Sequence, residues 1–223
     1  MRRQLLVFFL SILLVSCGTE TNYAPVSDIS GFDRIPKSGI YHVSWNETLY
    51  SIAWRYGLDY RYLARLNHLQ PPYHIVAGSA LFLTRNKSQI HHEYNHSFKK
   101  QIPYVPEINF PVKSWYWPAQ GRVVKFYSLL NKGINIVNKL GSPVFATSAG
   151  QVVYSGNGLR GYGNLIIIRH NNNYLSAYAN NSSVLVKEGQ FVQYGQKIAQ
   201  MGSVLHFEIR RNGLPVNPLN YLK

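Results

Sequence analysis

The chain has 223 residues, of which 46% are hydrophobic, so it can form one medium-sized domain or two small ones. Its formal net charge is +14, but no basic stripe is interleaved with stacking aromatic residues, and this argues against nucleic acid as a partner. Its single cysteine excludes a disulfide bond within the chain.

The first residues are predicted to be an export signal. Arg2 and Arg3 precede an apolar run from Leu5 to Val15, which has the length of a signal-peptide core and is too short for a membrane-spanning helix. Export of a basic chain favours an anionic neighbour, such as peptidoglycan carboxylates, lipid head groups or an acidic partner. Lys, Asn, Ile and Tyr are abundant, however, so the charge taken alone identifies no partner.

The end of this apolar run resembles the lipobox of bacterial lipoproteins. Leu-Val-Ser-Cys occupies positions 14–17, and in that family the Cys becomes the lipidated first residue of the mature protein. The resemblance implies a signal peptide over residues 1–16 and a lipid anchor on Cys17. Because Gly18 rather than Asp follows, it also implies attachment to the periplasmic side of the outer membrane. The alternative is an ordinary secretory signal in which the Cys is incidental.

A flexible tether and a small folded domain are predicted next. Residues 17–39 are polar, contain Gly and Pro and show no hydrophobic periodicity, as is typical of a tether. Residues 40–84 have the pattern of a β-α-α-β unit, in which a strand begins at Ile40 and two amphipathic helices are capped by Thr48 and Asp59. A second short strand is predicted at the end of this unit.

The segment YHVSWNETLYSIAWRYGLDYRYLARLNHLQPPYHIVAGSALFL resembles a LysM domain along its whole length. It has the Y-x-V opening, the T-L-x-x-I-A helix start, the L-x-x-x-N helix end and the I-x-x-G-x-x-L close, although Asn46-Glu47 stands where Gly-Asp is usual. The resemblance implies binding of N-acetylglucosamine glycans, here peptidoglycan glycan strands, in a shallow groove between two loops. The glycan-binding residues implied by position are Trp45, Asn46, Glu47, Thr48, Tyr73 and Ile75.

Two aromatic residues in those loops have two interpretations. Trp45 and Tyr73 can stack on sugar faces while backbone groups order the acetamido group. They can also pack the core of a small domain, which needs aromatic residues to bury enough surface. The sequence leaves both interpretations open.

Residues 85–112 contain a match to a metalloprotease pattern. The segment IHHEYNH includes HEYNH at 92–96, which fits H-E-x-x-H, where two imidazoles one helical turn apart bind zinc and the Glu acts as base. That chemistry requires a helix, but no helical apolar stripe flanks the motif, and Pro103 and Pro106 follow closely. We interpret the segment as a linker, in which adventitious metal binding by histidines stays open.

Residues 113–223 are predicted to form an all-β domain. Short strands lie between glycines at close intervals, and Asn171 to Asn173 suits a hairpin turn because Asn tolerates positive φ. The predicted strands include Val144–Ala146, Gln151–Tyr154, Asn164–Ile168 and Tyr174–Tyr178. The fold class predicted for the chain is therefore α+β, with a small β-α-α-β domain followed by an all-β domain.

This second region resembles the LytM (lysostaphin-like) zinc endopeptidase domain from Trp117 to Leu222. WPAQGRVV, NKGINI, ATSAGQVVYSGN, LRGYGNLIIIRH, YLSAYANN, VKEGQFVQYGQKIAQMG and LHFEIRRNGLPVNPLNYL follow its pattern. Active members bind zinc through H-x-x-x-D and the second His of H-x-H. Asn131, Asn135 and His206 stand at those positions, so the resemblance implies a domain with no bound metal, no cofactor and no enzymatic activity.

A degenerate LytM domain behind a lipobox and a LysM domain resembles the NlpD family of murein hydrolase activators of Gram-negative bacteria. Members of that family do not cut peptidoglycan. They engage a periplasmic N-acetylmuramoyl-L-alanine amidase and relieve its autoinhibition, so that daughter cells separate. The resemblance implies a partner-binding groove whose residues, called the groove residues below, are Asn131, Lys132, Asn135, Leu159, Arg160, Tyr162, Asn180 and His206.

The chain departs from that family near the groove. Met201-Gly202-Ser203 runs directly into Val204, where LytM domains normally insert a loop that borders the groove. Asn135 also stands where activators often keep Asp. Two alternatives to an activator therefore stay open: a peptidoglycan-binding lipoprotein without activator function, and a residual zinc endopeptidase.

Overall fold

The computed structural model describes residues 32–85, 112, 114–171 and 173–223. The predicted signal peptide, Cys17 and the HEYNH segment lie outside the described residues. Across the described ranges, no helix is long and apolar enough to cross a membrane. Two folded parts are present, and we call residues 40–84 the N-terminal domain and residues 114–223 the C-terminal domain.

The N-terminal domain is the predicted β-α-α-β unit, and its local capping signals explain its boundaries. The Thr48 side chain accepts a hydrogen bond from the backbone N–H of Ser51, whose hydroxyl in turn accepts from the N–H of Thr48. Asp59 caps the second helix, and Gly57 ends the first in the left-handed conformation. The elements are β1 (Ile40–His42), α1 (Leu49–Tyr56), α2 (Tyr60–Leu66) and β2 (Ala80–Phe82), with β1 antiparallel to β2.

The C-terminal domain is built on one antiparallel sheet, as predicted. Its strands are β3 (Arg122–Lys125), β4 (Ile134–Val137), β5 (Pro143–Phe145), β6 (Gly150–Gly156), β7 (Asn164–Arg169), β8 (Tyr174–Val184), β9 (Phe191–Val192), β10 (Lys197–Arg211) and β11 (Leu214–Val216). They follow the order β3-β4-β10-β8-β7-β6-β9, and β5 and β11 also pair with β10. A short 3-10 turn, Pro218–Asn220, closes the domain.

The longest strand, β10, separates the two faces of this sheet. Leu205, Phe207 and Ile209 are fully buried in the hydrophobic core of the C-terminal domain. The alternate residues of the same strand point to the opposite face, because side chains alternate along a strand. The strand runs from Lys197 to Arg211, and its pairing with β8 shifts register between Met201 and His206, the region in which the missing loop was noted.

The second face of the sheet is covered by the N-terminal domain. The two domains share one hydrophobic cluster, to which α1 and α2 contribute from one side and β6, β7 and β8 from the other. The Thr48 hydroxyl donates to the carbonyl of Val153 at 3.1 Å. Arg61 donates to the side-chain oxygens of Asn173 at 3.1 Å and Asn212 at 3.0 Å. The two domains are therefore docked.

The segment that precedes the N-terminal domain is docked as well. The backbone N–H of Asp33 donates to the carbonyl of Arg55 at 3.1 Å, and Ile35 packs against the shared cluster. The tether predicted over residues 17–39 therefore differs from the structure at its described end. Its apolar residues Phe32 and Ile35 pack against residues that are distant in the sequence, so the pattern of neighbouring residues does not predict these contacts.

Candidate functional site

The covered face of β10 carries a row of buried polar side chains. His206 Nδ1 is 2.8 Å from Oδ1 of Asn135, and His206 Nε2 is 3.1 Å from Oε1 of Glu208. The Tyr162 hydroxyl donates to the same Oε1 at 2.9 Å, while Arg210 Nε donates to Oε2 of Glu208 at 3.0 Å. Glu208 therefore holds together the floor of the groove.

The charges in this row are balanced within it. Burial opposes ionisation of Glu208, but Arg210, the hydrogen bond from His206 and nearby Lys132 outweigh it and lower the pKa of Glu208 to about 2. Burial lowers the pKa of Lys132, which Glu208 partly restores. Burial and the Glu208 carboxylate raise the pKa of the Tyr162 hydroxyl. Glu208 is thus an ionised, fully paired carboxylate near neutral pH.

The N-terminal domain and the segment before it lie directly over this floor. The Arg210 guanidinium is stacked on Trp54 of α1, 3.5 Å from the ring centre, and donates to the Trp54 carbonyl at 2.7 Å. Phe32 lies beside it, 5.2 Å from the Arg210 guanidinium carbon and 4.5 Å from the Lys132 ammonium. The predicted groove is therefore occupied by the chain itself.

The groove residues fall into a buried group and an exposed rim. Asn131, Lys132, Leu159, Tyr162 and His206 are buried, and Asn135 and Asn180 are half-buried. The rim residue is Arg160, which is exposed in the β6–β7 loop. The structure brings His206, Asn135 and Tyr162 together through Glu208.

The donor set at the position of the family's metal is a poor match to zinc. Asn131 Nδ2 donates to the carbonyls of Phe126 at 3.1 Å and Gly133 at 2.8 Å, and Asn135 is bonded to His206. Both ring nitrogens of His206 are engaged, whereas zinc sites in enzymes use three protein ligands. Among the described residues, no group of three His, Cys, Asp or Glu side chains could hold a metal ion. The absence of zinc stays a prediction.

The predicted glycan-binding loops lie on the same side of the N-terminal domain. Trp45 is 85% exposed, and Asn46 adopts a positive φ of 60° at the turn. Tyr73 is buried against the rings of Tyr50 and Tyr60, with centroid distances of 6.1 and 5.8 Å. Trp45 is thus accessible to a sugar face, whereas Tyr73 is largely covered by its neighbours.

The remaining loop residues include a carboxylate with a structural function. Glu47 pairs with Arg55 and accepts hydrogen bonds from the Tyr41 hydroxyl and the backbone N–H of Ser44. The hydroxyl of Thr48 is committed to the helix cap and to Val153. The side chain of Glu47 is therefore fixed before any ligand arrives.

A cavity of about 260 Å³ lies between these loops and the C-terminal domain. We call it the interdomain pocket. Its N-terminal wall contains Glu47, Thr48, Tyr50, Pro71, Pro72, Tyr73, His74 and Ile75, and its C-terminal wall contains Gln151, Val152, Val153, Arg169, Glu188 and Gly189. Four of the six predicted glycan-binding residues line it, since Trp45 and Asn46 lie outside.

Several residues of the groove and of the interdomain pocket are not identified by sequence motifs. Glu208 and Arg210 follow His206 at alternate positions of a strand, and this spacing alone indicates that the three share one face. Arg169, Trp54 and Phe32 give no comparable signal, because their contacts join segments that are distant in the sequence.

Comparison with known proteins gives a consistent assignment. Residues 41–84 match the LysM domain family, and residues 130–218 match Peptidase family M23. The chain is 42% identical to the lipoprotein NlpD/LppB homolog of Pseudomonas aeruginosa, over 83% of this chain and 77% of that protein. It is 34% identical to the murein hydrolase activator NlpD of Escherichia coli K12, over 86% of this chain and 70% of that protein.

Solved structures are similar over part of the chain. Csd3 of Helicobacter pylori is 30% identical over 52% of this chain and 34% of that chain, with a TM-score of 0.47. Lysostaphin of Staphylococcus simulans is 29% identical over 48% of this chain and 51% of that chain, with a TM-score of 0.42.

Proposed function

Because the chain belongs to the NlpD family of lipoproteins, which join a LysM domain to an M23 domain, we propose that it is a non-catalytic activator of a periplasmic peptidoglycan amidase. The amidase would be an N-acetylmuramoyl-L-alanine amidase that acts in daughter-cell separation. One observation carries the proposal. The groove of an M23 domain is retained, but the imidazole that remains in it, His206, is bonded through both nitrogens to Asn135 and Glu208.

Because the N-terminal domain is docked over the groove, activation requires that this domain first move away. A partner can reach the floor of the groove only when Trp54 and Phe32 have moved away from Arg210 and Lys132. Residues 85–112 join the two domains, and a segment of that length can span several tens of ångströms, at about 3.3–3.6 Å per extended residue. The N-terminal domain can therefore leave the groove while both domains stay folded. The docked chain is the resting form in this proposal.

The other parts of the chain determine where the activator acts. The N-terminal domain would hold it on peptidoglycan glycan strands through the loops that carry Trp45 and Thr48. Cys17 would provide the lipid anchor on the periplasmic side of the outer membrane. Relatives named as lipoproteins and outer membrane antigenic lipoproteins support that location.

Substitution of Arg160, the exposed residue at the rim, tests whether the groove takes part in activation. Arg160 is exposed in the docked chain, and within the described part of the chain its side chain makes no hydrogen bond or ion pair. Arginine is among the residues that most often dominate interface energies, and removing such a residue typically weakens binding by tenfold or more. We expect Arg160→Ala to lower amidase stimulation about tenfold at sub-saturating concentration, without changing the melting temperature.

The assay is dye release from labelled sacculi by the purified cognate amidase, with each variant added in titration. The matched control is Arg122→Ala, which removes an exposed arginine from β3, outside the groove residues. It should stimulate as well as the wild type. Undiminished stimulation by Arg160→Ala would remove the groove from the proposal while leaving the activator function intact.

A further inference from the structure

The interdomain pocket has walls from both domains and one deeply buried cation. Arg169, at the end of β7, is only 7% exposed, yet it lines the pocket. Its guanidinium donates to the side-chain oxygen of Gln151 at 3.1 Å and lies 6.0 Å from the ring centre of Tyr50. It also interacts with the hydroxyls of Tyr50 and Tyr60, which are neutral groups. Within the described ranges it forms no ion pair. Buried charges are ordinarily paired, so this one calls for an anionic partner.

The acidic groups that line the pocket do not supply that partner. Glu47 is neutralised by Arg55 and also accepts hydrogen bonds from the Tyr41 hydroxyl and the backbone N–H of Ser44. Glu188 is exposed at the rim, where partial burial raises its pKa and His74 opposes that shift. Arg169 therefore has donor capacity left for a ligand, because a guanidinium carries five N–H donors.

We propose that the interdomain pocket binds a glycan unit that carries a carboxylate, with the sugar against the loop residues Thr48 and Ile75 and the carboxylate on Arg169. The inference rests on the proposed glycan binding by the N-terminal domain. It adds a preference for glycans that carry a carboxylate. The N-terminal domain alone does not provide this preference, because the guanidinium of Arg169 belongs to the C-terminal domain. In peptidoglycan the carboxylate belongs either to the lactyl group of muramic acid or to the stem peptide attached there.

The size and shape of the pocket fit this ligand. Its volume of about 260 Å³ lies just below the range of about 300–1,000 Å³ that whole drug-sized ligands occupy. It accommodates one sugar unit with its substituent rather than a folded oligosaccharide. A planar guanidinium is also suited to bidentate recognition of a carboxylate. The neighbouring units of a glycan strand would continue past the exposed Trp45.

The test compares matched ligands on the mature full-length chain by isothermal titration calorimetry. The ligands are N-acetylglucosamine tetramer, a GlcNAc–MurNAc tetrasaccharide with free lactyl carboxylates, the same tetrasaccharide with those carboxylates amidated, and a form bearing stem peptides. We expect an acidic form to bind about tenfold more tightly than the neutral ones, since hydrogen bonds to charged groups are among the strongest. Preference for the free-lactyl or the peptide-bearing form identifies which carboxylate is bound.

Two variants test the assignment independently. Arg169→Gln should bind every ligand with the affinity of the neutral tetramer, Arg169→Lys should keep part of the preference, and the control Arg122→Gln should keep all of it. Gly213→Asn would place a Cβ 2.7 Å from the backbone nitrogen of Asp59 and so separate the domains. It should lose the preference although Arg169 is intact.

The outcomes separate this inference from the proposed function. If the wild type binds neutral and acidic forms equally, or if Arg169→Gln keeps the preference, Arg169 serves only to dock the domains and the inference is wrong. If the wild type binds none of the four ligands, the glycan-binding role fails, and the inference fails with it.

Discussion

Gly213→Asn is expected to separate the two domains and to increase amidase stimulation by the full-length chain. Gly213 has a φ of +81° in the turn between β10 and β11, and a Cβ there would lie 2.7 Å from the backbone nitrogen of Asp59 and 2.8 Å from its Cα. Backbone atoms at the start of a capped helix cannot shift alone, so the whole N-terminal domain must move. Asn is chosen because it tolerates positive φ better than other residues with a Cβ.

The expected change in the docking equilibrium is large, because the added side chain overlaps with atoms of the N-terminal domain only when the two domains are docked. Introducing a side chain into a closely packed contact costs about 1–3 kcal/mol. That cost shifts the ratio of undocked to docked chains by about 5- to 150-fold. Stimulation at sub-saturating concentration should rise in the same proportion until most chains are undocked. Small-angle X-ray scattering should show a larger radius of gyration.

A matched control is available in the same domain. Gly141 also has a φ of +81°, but a Cβ there would meet nothing within 4 Å. Gly141→Asn therefore carries the same backbone strain without the overlap and should behave like the wild type. If Gly213→Asn separates the domains without increasing stimulation, the docked N-terminal domain does not restrict access to the groove.

Arg210→Met is expected to cause the largest loss of stability among the substitutions considered. It leaves the fully buried Glu208 without its cationic partner, and breaking a buried ion pair in this way typically costs about 3–5 kcal/mol. The free energy of unfolding, measured in urea at neutral pH, should fall by that amount. Glu208→Gln/Arg210→Met removes both charges and should recover most of the loss. If the single and double variants lose the same amount, the contact of Arg210 with Trp54 matters more than the ion pair.

The loss should also depend on pH, with a definite sign. In the wild type the pKa of Glu208 is lowered from 4.5 to about 2, so its stabilising contribution is present above about pH 4.5 and is lost as the pH falls toward 2. In Arg210→Met the pKa of Glu208 rises, because its strongest charge partner is gone and burial then dominates. The gap between wild type and variant should therefore narrow as the pH falls from 7 toward 3.

Features encoded by neighbouring residues could be predicted from the sequence. The caps at Thr48 and Asp59 and the left-handed end at Gly57 each depend on contacts within a few positions, and the structure contains all three.

The covered groove could not be predicted in the same way. Arg210 and Trp54 are separated by 156 positions, and no periodicity links the face of one domain to a helix of another. From the sequence, Phe32 is assigned to a polar tether, because its partners Lys132 and Arg210 belong to a different domain. Arg169 reads as an ordinary charge at a strand end. Only the docked arrangement shows that it is buried.

We propose that this chain activates an amidase without cutting the wall itself. The most direct measurement is dye release from labelled sacculi in four mixtures: buffer, wild-type chain alone, amidase alone, and both together. Gly213→Asn is carried in parallel to allow for the docked resting form. We expect release above the amidase-alone rate when both proteins are present, and none from the chain alone, with or without added zinc. Release by the chain alone that chelation abolishes would contradict it, as would the absence of stimulation by both the wild type and Gly213→Asn at micromolar concentration.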